Sequence, residues 1–205
     1  MSGKLYLYPI WVRIWHALNA VFFLVLLISG LSMQYSNPDV PLLPFNLAVT
    51  SHNIAGVGLI VLYLCFLFIF SFSSNRKHYK IEFKGLLQRL IIQMKFYTFG
   101  VFKGEKPPFP TLEEAKFNPL QQVTYVVVLF ILLPVLIITG LPLMFPEVII
   151  DNFFGIGGTL LTALVHASAG FLASIFLIIH LYFATMGASF FSNYKSIVNG
   201  YHETH

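Results

Sequence analysis

Charged residues are scarce in this chain of 205 residues, where Asp, Glu, Lys and Arg together make up only 10%. Hydrophobic residues make up 57%, and the mean hydropathy is +0.79. Soluble domains contain about 25% charged residues, so this composition excludes an ordinary soluble globular protein. We predict a polytopic membrane protein.

Cysteine is nearly absent, since Cys65 is the only one. A single cysteine excludes a disulfide framework, a zinc site built on cysteine pairs and the Cys-x-x-Cys-His motif of covalent haem attachment. Cys65 lies within an apolar run, where a small buried hydrophobe is its expected role.

Four apolar stretches are long enough to cross a membrane, because about 20 helical residues span about 30 Å of hydrocarbon. They cover residues 10–33, 51–72, 120–145 and 160–183. Backbone groups must be satisfied internally in lipid, so the stretches are predicted to be helices. The expected fold class is an all-α membrane protein, a bundle of four transmembrane helices running alternately up and down, and residues 1–205 are expected to form one membrane domain.

Positive charge is confined to one side of this predicted bundle. Nine of the 12 Lys and Arg residues fall between Arg76 and Lys116, whereas the connections 34–50 and 146–159 have none. The positive-inside rule places both termini and the connection 73–118 in the cytoplasm. The location expected is a prokaryotic inner membrane, and the net charge of +4 reflects topology, with no nucleic acid as partner.

The connection 73–118 contains its own structural signals. Apolar and basic residues interleave from Glu82 to Gly100, a pattern that predicts an amphipathic helix lying in the headgroup region. It serves as a membrane-surface anchor or as a docking platform for a soluble partner. Further on, Thr111 and Glu114 are spaced as a capping box for a short helical turn.

Four histidines lie within the predicted spans, where an ionisable residue is costly unless a partner compensates for its burial. By depth in the bundle they form two pairs: His16 with His180 near the cytoplasmic side, and His52 with His166 near the outer side. His166 and His180 are 14 residues apart on one helix, about 21 Å along its axis and on nearly the same face. Two haems, one per leaflet, fit this spacing.

Metal transport is the competing interpretation, because neutral imidazole also binds zinc or copper. It is weakened because the four spans contain no Asp, no Glu and no further His. Four glycines offer bare helix faces to a flat macrocycle, although small residues also let membrane helices pack closely. They are Gly30, Gly56, Gly140 and Gly170. The remaining histidines, His78, His202 and His205, are expected to be solvated.

Three amide side chains precede or open the third span: Asn118, Gln121 and Gln122. They are explained simply as interfacial residues or helix caps. They also lie at the depth of His16 and His180, where they are able to hydrogen-bond a quinone carbonyl.

A set of ordered motifs resembles the bacterial di-haem cytochrome b family. That family includes the gamma subunits of formate dehydrogenases, the b subunits of nickel-iron hydrogenases and the cytochrome b subunits of thiosulfate reductases. The matching motifs, spread over essentially the full chain, are Arg13-Ile14-Trp15-His16, His52, Lys116-Phe117-Asn118-x-x-Gln121, and His166 with His180.

The resemblance implies bis-histidine haem b at both sites, with His16, His52, His166 and His180 as the iron ligands. It also implies a site for menaquinone or ubiquinone near the inner haem, at Asn118 with Gln121 or Gln122 as a second contact. Pro119, Pro134 and Pro142 depart from the motif or interrupt the third span and leave that site's local geometry open.

The function expected is electron transfer across the membrane, as a subunit of a respiratory oxidoreductase complex. A separate redox subunit on the outer face, an iron-sulfur or multihaem protein, would exchange electrons with the quinone pool near the cytoplasmic side. The chain shows no catalytic domain of its own, so the catalytic subunit is expected to be a separate polypeptide. A histidine-based metal or proton transporter and a non-redox membrane anchor are the alternatives.

Overall fold

The structure is a computed structural model that describes residues 4–35, 37, 40–112, 114–153, 155–187 and 189–203. Its helices are α1 (Ile10–Gln34), α2 (Phe45–Phe72), α3 (Leu86–Lys95), α4 (Pro119–Val127), α5 (Leu133–Met144), α6 (Gly158–Ala184) and α7 (Ser192–Asn199). Its strands are β1 (Lys4–Tyr6), β2 (Asn152–Phe153), β3 (Ile156–Gly157) and β4 (Tyr201–Glu203).

In the described residues, four helical segments are long and apolar enough to span a membrane: Ile10–Gln34, Phe45–Phe72, Pro119–Met144 and Gly158–Ala184. Large apolar side chains are exposed along all of them, such as Leu24, Leu64, Ile138 and Ile178. Side chains of this kind belong in contact with lipid. The prediction of an all-α membrane protein with four spanning helices is confirmed.

The second span starts earlier than predicted. Helix α2 begins at Phe45, six residues before the expected start at Ser51, and the carbonyl oxygen of Pro44 accepts a hydrogen bond from the Ala48 N–H. Hydropathy marks only the part of a helix that lies in hydrocarbon, so it missed this first turn and a half.

The third span is continuous but not uniform. A π-helical turn at Val128–Leu132 separates α4 from α5, and Pro134 is the second residue of α5. Proline has no N–H to donate to the preceding turn, and its ring crowds that turn. A locally wider turn is a common solution inside a helix.

The connection between the second and third spans differs from its prediction in two places. The amphipathic helix begins at Leu86 rather than Glu82, because Gly85 adopts a left-handed conformation (φ 67°) and starts it. The expected capping box at Thr111 and Glu114 is wrong: Leu112 and Ala115 form a reciprocal backbone turn, with no helix in the described residues of this stretch.

Contacts divide the chain into two compact units. The first comprises Met1–Ile14, Ile69–Leu129 and Ile178–His205, and the second comprises Trp15–Phe68 and Phe130–Leu177. In the second unit, the buried face of α2 runs through Ala48, Ala55, Leu59, Tyr63 and Phe66. These residues recur at intervals of three, four or seven, as one face of a helix requires.

In the first unit, strands near the two ends of the chain pair with each other. Strands β1 and β4 are antiparallel, with Lys4 opposite Glu203 and Tyr6 opposite Tyr201. The carbonyl oxygen of Gly200 then accepts hydrogen bonds from the N–H groups of Leu7 and Tyr8. Leu7, only 2% exposed, is held in place by this pairing.

Candidate cofactor sites

The predicted outer histidines lie together. His52 on α2 and His166 on α6 both belong to the second unit, and their ring centroids are 6.3 Å apart with ring planes at 73°. No acidic side chain occurs on either helix.

That separation suits two axial ligands of one metal ion. Metal–imidazole nitrogen bonds are about 2.0 to 2.1 Å long, so two imidazoles bound on opposite sides of one ion have centroids about 6 Å apart. The observed 6.3 Å matches this estimate. The pair therefore fits a haem iron held between two histidines.

A hydroxyl group lies beside each of these imidazoles. Ser29 Oγ on α1 is 2.9 Å from His52 Nδ1, and Thr139 Oγ1 on α5 is 2.9 Å from His166 Nδ1. Ser29 is fully buried. Each outer histidine is thus supported by a hydroxyl from a different spanning segment.

A glycine follows each hydroxyl residue and makes room for the ring. A Cβ on Gly30 would lie 3.4 Å from His52 Cε1, and a Cβ on Gly140 would lie 3.0 Å from His166 Cε1. These two glycines therefore accommodate imidazoles rather than a macrocycle. A Cβ on Gly170, one turn after His166, would meet no atom within 4 Å, whereas a Cβ on Gly56 would lie 3.9 Å from the Leu26 side chain.

Ser29 and Thr139 were not predicted as site residues, although both lie in a repeated sequence pattern. The first and third spans share Leu-x-Ile-Ser/Thr-Gly-Leu, at residues 26–31 and 136–141, and the second and fourth share His-x-x-Ala-Gly, at 52–56 and 166–170. The two halves of the outer site are built from corresponding positions in these repeated segments.

The predicted inner histidines belong to different units. His180, on α6 in the first unit, lies 6.4 Å from the ring of Tyr125. His16, on α1 in the second unit, follows Trp15, whose ring stacks on Phe66 and whose Nε1 donates to the Leu62 carbonyl. Their pairing stays a prediction from depth and resemblance.

An unpaired polar atom lies three residues before His16. Arg13 Nε is buried and has no hydrogen-bond partner among the described residues. A buried N–H group needs an acceptor to offset its desolvation. A carboxylate such as a haem propionate fits that requirement.

The amides at the start of the third span form a capping box. Asn118 Oδ1 accepts from the Gln121 N–H at 2.9 Å, and Gln121 Oε1 accepts from the Asn118 N–H at 3.1 Å. Pro119 occupies the first helical position, where its missing N–H costs nothing. The proline that departed from the family motif is therefore compatible with this helix start.

Gln122 has a different role from the one predicted. Its Nε2 donates to the carbonyl oxygens of His78 (2.8 Å) and Lys80 (3.1 Å). Both of its N–H groups are committed to backbone, so Gln122 ties the connection to the third span and is a poor donor for a quinone carbonyl.

His78 is buried rather than solvated, which corrects the expectation for it. Its side chain is 7% exposed and its ring lies 6.4 Å from that of Phe117. Burial, with Lys116 and Lys77 nearby, lowers the pKa of His78. His202 is half-buried in β4, and His205 lies outside the described residues.

Tyr97 is a further residue that the sequence did not reveal. Asn118 Nδ2 donates to its hydroxyl at 2.8 Å, and its ring stacks on Phe183 at 4.3 Å. Burial raises the pKa of Tyr97, so its hydroxyl keeps its proton at neutral pH. One turn earlier, Gln93 Oε1 is buried without a hydrogen-bond partner in the part of the chain that the structure describes.

Most structural metal sites hold the ion with four protein ligands. Among the described residues, no group of three or more His, Cys, Asp or Glu side chains is placed to hold a metal ion.

Comparisons with known proteins agree with these features. The family model for prokaryotic cytochrome b561 matches residues 7–200. The chain is 40% identical over 199 residues to an Escherichia coli (strain K12) protein, "Putative cytochrome YdhU", with 97% of this chain and 75% of that protein covered. No solved structure matches significantly.

Proposed function

This chain belongs to the prokaryotic cytochrome b561 family, and from that membership we propose that it transfers electrons across a membrane between two b haems and a quinone. It is a multi-pass membrane protein of a b-type cytochrome family, and such a family binds haem b. The number of haems, their ligands and the quinone are the parts that we add.

One observation carries the proposal: the 6.3 Å separation of the His52 and His166 rings. We assign these histidines as the residues that would hold the iron of the outer haem. When bound, haem iron supplies a one-electron redox couple whose potential depends on its ligands and surroundings. The chain positions the imidazoles and keeps their surroundings apolar.

The inner haem is assigned to His16 and His180, on their predicted depth and on the family resemblance. Arg13, whose buried Nε has no hydrogen-bond partner among the described residues, is suited to bind a propionate of that haem. An arginine does so through a charge-assisted hydrogen bond, which is stronger than a neutral one.

For the quinone, menaquinone or ubiquinone, we propose a site at the start of α4. Gln121 Nε2 is the available donor, because Oε1 is used in the capping box and Nε2 makes no hydrogen bond to a described residue. Asn118 orients the Tyr97 hydroxyl, and that hydroxyl retains a proton to donate. Gln93 Oε1 is a suitable acceptor for a quinol hydroxyl.

We further propose that the protein lies in a prokaryotic inner membrane with both termini and the connection 73–118 in the cytoplasm. The distribution of Lys and Arg supports this orientation. A separate redox subunit would then dock on the outer face, near His52 and His166, and would contribute the catalysis in a larger complex.

Haem analysis of the purified chain tests this function. We expect reduced-minus-oxidised bands of b-type haem and two haems per chain. His52→Ala and His166→Ala should each remove the same one haem, because both ligands hold the same iron, and His16→Ala and His180→Ala should each remove the other.

His202→Ala is the matched control, since His202 lies in β4 outside the four spans. It should retain both haems. A colourless protein would contradict the proposal and favour a transporter, and a single haem lost in all four variants would contradict the pairing.

A further inference from the structure

We propose that Ser29 and Thr139 are positioning residues of the outer haem: they fix which nitrogen of His52 and His166 carries the proton and so present Nε2 to the iron. This inference rests on the function proposed above. It assigns a role to two side chains that do not touch the iron.

The argument starts from the single proton of a hydroxyl group. Ser29 Oγ lies 2.6 Å from the Val25 carbonyl oxygen, and Thr139 Oγ1 lies 2.6 Å from the Val135 carbonyl oxygen. A carbonyl oxygen only accepts, so each hydroxyl donates its proton to its own helix.

The contact with the histidine must then run in the other direction. A hydroxyl that has donated its proton accepts through its lone pairs, so Nδ1–H of each imidazole is the donor across the 2.9 Å contacts. In a neutral imidazole with a proton on Nδ1, the Nε2 lone pair is free. That lone pair is what an iron ligand requires.

The two glycines restrict where each imidazole ring can lie. With Gly30 next to Ser29 and Gly140 next to Thr139, each ring lies against bare backbone, at 3.4 and 3.0 Å from the positions of an added Cβ. The glycine therefore leaves room for the ring, and the hydroxyl favours the Nδ1–H tautomer together with a backbone carbonyl, that of Leu26 for His52 and that of Leu136 for His166. Its occurrence at two corresponding places makes an accidental contact a poor explanation.

The hydrogen bond also affects the redox potential. Donation from Nδ1–H to an acceptor raises the basicity of Nε2, and a more basic ligand stabilises ferric over ferrous iron. Loss of the hydroxyl should therefore move the midpoint potential of the outer haem to a more positive value.

The test is a spectroelectrochemical titration of both haems in the purified full-length chain. The variants are Ser29→Ala and Thr139→Val, with Ser29→Thr and Thr139→Ser as exchanges that keep a hydroxyl. We expect one of the two potentials to shift positive in the first two variants, together with altered low-spin ferric EPR g-values. The other haem should keep its wild-type potential, and the hydroxyl-keeping exchanges should restore the first.

Matched controls are Ser174→Ala and Thr162→Val. Their hydroxyls donate to the carbonyls of Gly170 and Gly158 in the same way as those of Ser29 and Thr139 donate to Val25 and Val135, but among the described residues neither hydroxyl contacts an imidazole. They should leave both potentials unchanged. An equal shift in the controls, or unchanged potentials and g-values in Ser29→Ala and Thr139→Val, would overturn the inference.

Loss of the outer haem in Thr139→Val supports the inference if Thr139→Ser regains it and contradicts it if Thr139→Ser does not. A wild-type chain without haem b would instead defeat the proposed function itself. The two failures are therefore distinguishable.

Discussion

Asn118 makes two kinds of hydrogen bond with the two atoms of one amide. Its Oδ1 caps α4 by accepting from the Gln121 N–H, and its Nδ2 donates to the Tyr97 hydroxyl. Removal of the whole side chain would mix a loss of helix stability, typically about 1 kcal/mol for a cap, with any loss of quinone binding.

Asn118→Asp separates these two roles. Aspartate is as good a cap as asparagine but has no N–H to orient Tyr97. We expect the thermal midpoint to stay near that of the wild type, while quinone-analogue binding or quinol-linked haem reduction weakens by about tenfold, the equivalent of about 1.4 kcal/mol.

Tyr97→Phe should weaken the same quinone binding. Gln122→Ala should instead affect stability more than binding, because the Gln122 amide donates to backbone carbonyls. Unchanged binding in both Asn118→Asp and Tyr97→Phe would place the quinone elsewhere.

The sequence predicted some residues of the candidate sites and missed others. The histidines were identifiable because an imidazole in an apolar span is rare and its depth can be counted. Ser29, Thr139 and Tyr97 were not, because a serine or threonine in a helix usually bonds its own backbone, and an aromatic residue in an amphipathic helix is ordinarily a surface anchor. Their contacts with His52, His166 and Asn118 become visible only in the three-dimensional structure.

At the scale of elements, the connection between the second and third spans is an ordered layer. Lys116 Nζ donates to the Leu7 carbonyl and to Asn75 Oδ1, and burial lowers the pKa of Lys116. Burial raises the pKa of the neighbouring Tyr79 to about 12, so its hydroxyl stays protonated at neutral pH. Lys116 therefore has a structural role in this layer, because it links the connection to the segment that precedes α1.

The buried His78 makes this layer sensitive to acid. Its pKa is lowered in the folded chain by burial and by Lys116 and Lys77, so the unfolded chain takes up a proton first as the pH falls. Its contribution to stability is complete above about pH 6.5, the pKa of an unperturbed histidine, and is lost as the pH falls through the lowered folded pKa.

We expect thermal unfolding in detergent to occur about 2 to 4 °C lower at pH 5 than at pH 7, corresponding to about 1 kcal/mol in a chain of this size. His78→Gln should flatten this dependence, whereas His202→Gln, at a half-buried site in β4, should preserve it. An equal slope in all three proteins would exclude His78 as the group responsible.

The elements themselves were largely predictable, because 20 or more apolar residues leave a chain in lipid few options. Their ends were less so. The helix start at Phe45 and the left-handed Gly85 depend on local backbone bonds, and the capping box formed at Asn118 rather than Thr111 because Pro119 and the third span follow it directly.

At the scale of the whole molecule, the charge pattern predicts how the protein is oriented in the membrane. The connections 34–50 and 146–159 contain no Lys or Arg. Fusions of alkaline phosphatase after residue 40 or 148 should be active, and fusions of green fluorescent protein after residue 104 or at the C-terminal end should fluoresce.

The opposite pattern would invert the membrane orientation and would move the proposed quinone site to the outer side. A result that departs from the expected pattern at only one position would indicate that the neighbouring span is not inserted.

The count of four spans and the cytochrome family were both accessible from composition and motifs, whereas the division into two compact units was not, because it depends on contacts between distant segments.

The pairing of β1 with β4 also imposes an order on biogenesis. Every residue of the second unit has been synthesised once the ribosome passes residue 177, and that unit includes His52, His166 and both hydroxyls. The first unit must wait for its last segment, since residue 4 pairs with residue 203. In nascent chains, the pair of His52 and His166 should therefore form first, and the first unit, which contains His180, should be completed last.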